Sequence, residues 1–419
     1  MKSLIVIGGG AAGLMAAASA RNVFKDEPVN ITIIEKNSRP ARKVMITGKG
    51  RCNVTNNCDL ETLIKNTPRN GKFLYSAFSK FLPSDVMALI ESQGVPLKTE
   101  RGNRVFPVSD KAVDIVDALV KLNRKNNIVE GTVQKIIWSQ NKITAVKLTD
   151  NRILEADAVI LATGGISYPV TGSTGDGYNF ASDLGHTITE LSPSLVPLEW
   201  HEGFCSKLSG LSLKNVTLSI FEEGKKKAVY SDMGEMLFTH FGISGPLVLS
   251  ASACIKNPEK VNYTAVIDLK PALTIEQLDK RILRDFSEEL NKDFANSLYD
   301  LLPKSLVPVI IKLSRIPNDI KVNSITKEQR RTLCEIIKGL KLHIIATRPI
   351  DEAIITRGGI KISEIDPSTM RSKFIDNLYF AGEIIDVDAF TGGFNLQIAF
   401  STGFTAGESA ANDLKEILI

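Results

Sequence analysis

Cysteine is scarce: five residues in 419, at positions 52, 58, 205, 254 and 334, odd in number and without a Cys-x-x-Cys pair. This excludes a disulfide framework and points to a reducing compartment, so a cytoplasmic location is expected. Histidine is scarcer, with four dispersed residues, none within four positions of another. No metal site is expected from them. Aromatics make up 6%, and 51 Lys+Arg nearly balance 47 Asp+Glu for a net charge of +4. Nothing in these totals favours nucleic acid or an anionic membrane as partner, and neither is expected. No apolar run is long enough to span a bilayer. Hydrophobic content of 43% and charged content of 23% exclude a disordered chain, and the length calls for two or three domains. Composition leaves the oligomeric state open.

What is present begins at the N-terminus. Met1 to Ala20 mimics a signal peptide, with a lysine, an apolar stretch and Ala18-Ser19-Ala20. The same residues also read as strand, turn and helix. Leu4-Ile5-Val6-Ile7 has the character of a buried parallel strand, and Gly8-Gly9-Gly10-Ala11-Ala12-Gly13 matches G-x-G-x-x-G. An Ala-rich helix follows, and a second strand, Ile31 to Ile34, ends in Glu35, 22 positions past the last glycine. Together these satisfy the context of a dinucleotide-binding βαβ unit. The glycines admit a pyrophosphate close to the backbone, the helix N-terminus offers free N–H groups, and the Glu35 carboxylate can accept from a ribose hydroxyl.

After Glu35 the chain does not enter another βαβ unit. Lys36 to Asn56 is basic and Gly-bearing, suited to lying along an extended dinucleotide, with Arg42 and Lys43 available to phosphate. Strand patterns at Asn127–Ile137, Ile143–Leu148 and Ile153–Leu161 read as a meander ending in Ala162-Thr163-Gly164-Gly165. Near the C-terminus, Asn377 to Phe380 reads as a strand leading to Ala381-Gly382-Glu383, and Gly392-Gly393-Phe394-Asn395-Leu396-Gln397 opens a helix. The amides of that helix end suit a site where negative charge develops. The series favours FAD over NAD.

The segments RKVMITGKGRCNVTN, ATGGISYPVTGSTGDGYNFASDLGH, GEMLFTHFGISGP and AGEIIDVDAFTGGFNLQIAFSTGFTAG resemble the BaiN-like NAD(P)/FAD-dependent oxidoreductases, also called aminoacetone-oxidase-like flavoproteins. The resemblance runs in order from Leu4 to about Gly407. Thr174-Gly175-Asp176-Gly177 is more distantly similar to the fumarate reductase flavoprotein group. One departure is Lys49, where many relatives carry a small residue. The resemblance implies an α/β fold: a Rossmann-like two-dinucleotide-binding-domain (GR2-type) FAD fold with an inserted β-barrel-like plus helical domain. The expected limits are 1–190 and 346–419 for the two parts of the FAD domain, 191–270 for the β-rich insertion and 271–345 for the helical one. Short alternating stretches such as Val216 to Ile220 and Tyr263 to Ile267 mark the former, and amphipathic periodicity from Thr274 to Leu340 marks the latter.

The candidate cofactor contacts are Gly8, Gly10, Ala11, Ala12, Gly13, Glu35, Lys36, Arg42, Lys43, Gly50, Val133, Thr163, Gly164, Gly382, Glu383, Asp386, Gly393, Asn395 and Leu396. Hydride transfer belongs to the flavin, so the protein supplies position, charge and protons. Arg51 is a candidate for fixing a carbonyl or carboxylate, or for binding FAD alone. His240, in Phe238-Thr239-His240-Phe241-Gly242, suits an acid/base role or a structural hydrogen bond. Tyr168 either reaches the flavin face or packs. Asp388, like Asp386, suits ribityl groups or substrate. Cys52 and Cys58 lack the helical spacing of a disulfide-reductase pair, and Lys225-Lys226-Lys227 reads as a solvated hairpin loop. No second G-x-G-x-x-G follows a strand, so NAD(P)H is expected only as a transient co-substrate, with O₂ as the other possible redox partner. The reading is an FAD-dependent oxidoreductase acting on a small organic substrate, either an NAD(P)H-dependent reductase or an amine or aminoketone oxidase. The alternative is an FAD-binding protein of RNA modification.

Overall fold

The computed structural model describes residues 1–200, 203–204 and 206–416; Cys205 lies outside the described residues. Two compact units emerge, one of Met1–Ser194 with Pro349–Ile419 and one of Leu195–Arg348. No helix among the described residues is long and apolar enough to cross a membrane.

The first unit is organised by five parallel strands. They are β1 (Lys2–Ile7), β2 (Val29–Glu35), β3 (Asn127–Glu130), β4 (Ala158–Leu161) and β5 (Leu378–Phe380), arranged β5-β4-β1-β2-β3. The central strand β1 is buried from Leu4 to Ile7, as expected for a parallel strand covered on both faces. Helix α1 (Ala11–Phe24) connects β1 to β2 and packs along the C-terminal helix α2 (Phe394–Glu416). Small residues permit this approach: a Cβ on Gly403 would stand 3.2 Å from Ala12 Cα, and one on Gly407 2.9 Å from Ala16 Cα. The second is closer than a methyl group tolerates, and the first would force the facing backbone to give way.

Two runs that read as single strands are each divided between sheets. Asn127–Glu130 joins the parallel sheet, while Val133–Ser139 starts a separate antiparallel meander with Lys142–Leu148 and Ile153–Glu155. Gly131 stands at the first break, and the second falls between Glu155 and Ala158. Pairing partners, invisible to periodicity, decide where such a run changes sheet. The Lys36–Asn56 stretch is also more ordered than a loop. It carries a short helix, Arg42–Ile46, and a two-residue strand, Thr55–Asn56, paired with Arg104 and Val105.

The second unit is a closed six-strand antiparallel barrel with a helical excursion. The strands Leu198–Trp200, Ser212–Glu222, Tyr230–Phe238, Gly242–Ser244 and Tyr263–Asp268 are followed by helices at Ile275–Glu288, Val307–Ser314 and Lys327–Lys338. Thr274 and Thr326 cap the first and last of these helices, each with a glutamine returning the bond three residues on. The strand Leu340–Thr347 then closes the barrel between Tyr263–Asp268 and Leu198–Trp200. Its first six residues fall within the stretch expected to be helical, 271–345. Its alternating burial is a strand signature that directly follows an amphipathic helix.

Candidate functional site

The site is assembled where the strands of the parallel sheet end. Gly8 has φ +106°, and a Cβ there would stand 2.8 Å from the Ala162 carbonyl carbon. The first glycine turn therefore lies directly against the Ala162–Gly165 turn. Gly10 occupies the N-cap of α1 with no side chain capping the helix, and the space a Cβ would fill is open. Ala11, Ala12 and Gly13 form the buried first turn, so their amide end is presented without a bulky neighbour. A Cβ on Gly382, at φ +79°, would stand 2.8 Å from Ala12 Cβ, too close to be accommodated, and the Gly382 N–H donates to Thr402 Oγ1 at 2.9 Å. The three glycine-bearing blocks thus converge on one end of α1.

Glu35 is buried at the tip of β2. Its Oε2 accepts from the Gly9 N–H at 2.8 Å, and its Oε1 accepts from the backbone and side-chain nitrogens of Asn37 at 2.9 and 2.7 Å. The carboxylate thereby holds both sides of the turn. Arg42 donates to Asn37 Oδ1 at 3.0 Å, and Lys36 pairs with Asp176 at 2.8 Å. Lys43 reaches Glu383 at 2.6 Å and Ser167 Oγ at 2.8 Å, and Glu383 Oε1 accepts from Ser167 Oγ and the Thr356 N–H. Ser167 and Thr356 carried no sequence signal, since their role arises only from contacts between distant segments.

Thr163 Oγ1, Tyr178 Oη, Asn53 Oδ1 and Asp388 Oδ1 are buried without a hydrogen-bond partner among the described residues. Burial without a partner is costly for each. The Tyr178 phenol is pushed well above its ordinary range by burial, with the Glu383 and Asp386 carboxylates adding to the effect. Burial likewise raises the Asp388 carboxyl, whose other oxygen accepts from Ser194 Oγ at 2.6 Å. Asp386 is held in a two-point pair by Arg69, with Nη2 to Oδ2 at 2.9 Å, and its carbonyl accepts from Asn70. Asn395 is similarly engaged, donating to Ala389 O at 2.8 Å and accepting from its N–H at 3.0 Å. Its side chain sets the turn before α2 while Leu396 lies half-buried in the first turn. Gly393, at φ +98°, lets that turn lie against Thr55, and Gly164 has φ +75°. Val133 is buried at the start of its strand, and Gly50, at φ +82°, borders open space.

Arg51 is part of an ion-pair network, 2.5 Å from Glu100 and 2.6 Å from Asp110, with its guanidinium 4.1 Å from the Phe106 ring centroid. Tyr168 is half-buried in a left-handed backbone conformation, φ +50°, and starts a tight turn. His240 belongs to the second unit, where it is exposed and packs edge-on to Phe241 at 5.0 Å. Cys52 is fully buried with its thiol pushed up to about 12, and Cys58 is raised to about 11, both chiefly by burial. Neither is a reactive thiolate at neutral pH.

Against known families, residues 2–409 match the family described as HI0933-like protein Rossmann domain. The chain is a member of that family. The resemblance carried by its motifs therefore holds, and so does the α/β Rossmann-type class with an inserted barrel. Relatives include the 3-dehydro-bile acid delta(4,6)-reductase of Clostridium scindens, 30% identical over 98% of this chain and 99% of the relative. The ribosomal RNA dihydrouridine synthase of Haemophilus influenzae is also 30% identical, over 97% of each chain. Among solved structures, the Escherichia coli quinol fumarate reductase subunit FrdA aligns with a TM-score of 0.51 at 17% identity, covering all of this chain and 72% of that one. That similarity concerns the fold.

Proposed function

We propose that this family member is an FAD-dependent oxidoreductase that reduces a carbon–carbon double bond conjugated to a carbonyl. The observation that carries the reading is the meeting of three glycine turns at the end of α1, with the Thr163 hydroxyl in one of those turns buried and without a partner among the described residues. A dinucleotide fits that arrangement: backbone amides of Gly10 to Gly13 face where a pyrophosphate binds, and Glu35 sits at the strand tip that meets a ribose. Thr163 and Tyr178 have hydroxyls to offer a cofactor, and Gly50 leaves the Thr47–Cys52 turn room to approach one. FAD bound there would supply hydride transfer. The chain's own residues hold it in place: Lys43 and Glu383 fix the loop after β2 to the block after β5, and the N-terminus of α2 favours negative charge before it.

The substrate class draws on the relatives' names. A delta(4,6)-reductase of a 3-dehydro-bile acid acts on alkenes conjugated with a 3-ketone, and dihydrouridine is a uridine whose carbonyl-conjugated ring double bond has been saturated. Saturating a carbonyl-conjugated double bond takes a hydride equivalent and a proton. A small enone is the first reading, with a nicotinamide as hydride donor. A uracil in RNA is the second, favoured by the Haemophilus relative's name. The test is anaerobic addition of NADPH, then NADH, to the FAD-loaded protein, followed by a 3-keto-4-ene steroid or a uridine-containing RNA. Flavin that bleaches and is reoxidised by either acceptor supports the reading. Flavin that ignores both nicotinamides but is reduced by an aminoketone, with peroxide released, replaces it with an oxidase. A chain that takes up no FAD overturns it.

A further inference from the structure

The turn Thr47–Cys52 and the hairpin tip Glu100–Arg104 form one basic rim beside the site. Asn56 joins the two regions: its Nδ2 donates to Gly102 O and to Gly392 O, each at 3.0 Å. The hairpin tip is thereby tethered to the glycine pair that opens α2. Five cations, Lys49, Arg51, Lys98, Arg101 and Arg104, lie on or next to these segments with two carboxylates, Glu100 and Asp110. The carboxylates are taken: Glu100 and Asp110 pair with Arg51, and Asp110 also with Lys98 at 2.8 Å. The Arg51 and Arg104 guanidinium carbons stand 4.1 and 6.0 Å from the Phe106 ring centroid, contacts that restrain two otherwise flexible side chains. Arg104 is held further by a 3.1 Å bond from Nε to Arg101 O, a bond that does not use its terminal nitrogens. Lys49 projects from a left-handed residue, φ +58°, between two glycines and is exposed. Neither Lys49 nor Arg104 meets a carboxylate among the described residues.

We infer that this rim, through Lys49 and Arg104, binds phosphate groups of a nucleotide ligand that comes to the redox site. The excess positive charge, the preset guanidinium and the absence of a competing acid suit a phosphate better than a neutral enone. The phosphate belongs either to the backbone of an RNA substrate or to the 2′-phosphate that distinguishes NADPH from NADH. The inference rests on the proposed redox site for its location, but its test reads binding separately.

The experiment compares the FAD-loaded wild type with K49E/R104E. A second double variant, K125E/K142E, makes the same charge change at exposed lysines elsewhere in the first unit. Retained flavin absorbance and an unchanged melting temperature show that each is folded. The first arm follows the anisotropy of a labelled, uridine-rich RNA of about 20 nucleotides between about 50 and 200 mM KCl. The second measures KM for NADPH and for NADH in flavin reduction. If RNA is the ligand, K49E/R104E binds it at least about tenfold more weakly, with a salt slope lower by about 1.4, while K125E/K142E matches wild type. If NADPH is the ligand, its KM rises about tenfold relative to that of NADH in K49E/R104E alone. RNA binding and the NADPH/NADH ratio both unchanged in K49E/R104E, or moved equally by K125E/K142E, would overturn the inference. Should the protein fail to bind flavin or take electrons, the RNA arm still decides the rim while the redox reading falls alone.

Discussion

Lys43 Nζ lies 2.6 Å from Glu383 Oε2, across 340 positions of sequence. The pair connects the segment after β2 to the segment after β5. The second oxygen of Glu383 gathers Ser167 and Thr356 as well, so one half-buried carboxylate fastens four stretches of chain.

Removing that charge loosens the site as a unit. Glu383→Gln keeps the shape but leaves the Lys43 ammonium without its counterion, and a loss of about 1–3 kcal/mol in stability is expected. FAD affinity falls by about tenfold. In a double-mutant cycle with Lys43→Met, the combined loss is clearly smaller than the two single losses added together. Thermal unfolding and FAD titration of the four proteins check this; strictly additive losses would disprove the coupling.

Thr163 offers the opposite test, because its hydroxyl has no partner among the described residues. Thr163→Val removes a buried polar atom at almost constant shape, so the flavin-free protein unfolds at the same temperature or higher. FAD binding weakens by about 1.4 kcal/mol, or tenfold, if the hydroxyl is reserved for the cofactor. Stability that drops without FAD, together with unaltered affinity, would assign Thr163 to the scaffold.

His186 carries a pH dependence. It is buried between the rings of Phe374 and Phe380, at 4.9 and 4.8 Å, with Nε2 2.8 Å from Ser372 Oγ and Nδ1 3.4 Å from Glu364. Burial holds its pKa below the ordinary 6.5, and Glu364 opposes this only in part. The folded state therefore binds fewer protons than the unfolded chain. The corresponding stability is present above pH 6.5 and is lost as pH falls below it. Urea unfolding from neutral to mildly acidic pH should show wild type losing stability more steeply than His186→Gln; parallel profiles would count against a neutral buried imidazole.

Much of the first glycine turn is legible in the sequence. The Gly8–Gly13 spacing, the β-branched run before it and Glu35 at the tip of the next strand are contiguous or nearly so, and each is constrained locally. The same holds for the threonine caps at 274 and 326. Residues chosen for their charge were harder to place. Asp386 and Arg51 read as groups free to meet a ligand, yet Arg69 engages one and Glu100 and Asp110 the other.

Sequence by itself thus determined the glycine turns, the order of strands and helices flanking them and the presence of an insertion, because backbone freedom and side-chain periodicity belong to neighbouring residues. Only the tertiary structure decided that Leu340–Thr347 closes the barrel, that Asn56 ties Gly102 to Gly392, and that Lys43 answers Glu383. A buried polar atom must find a partner somewhere, but which one it finds is settled by chain closure. Segments hundreds of residues apart acquire their roles only when the sheet brings them to the same edge.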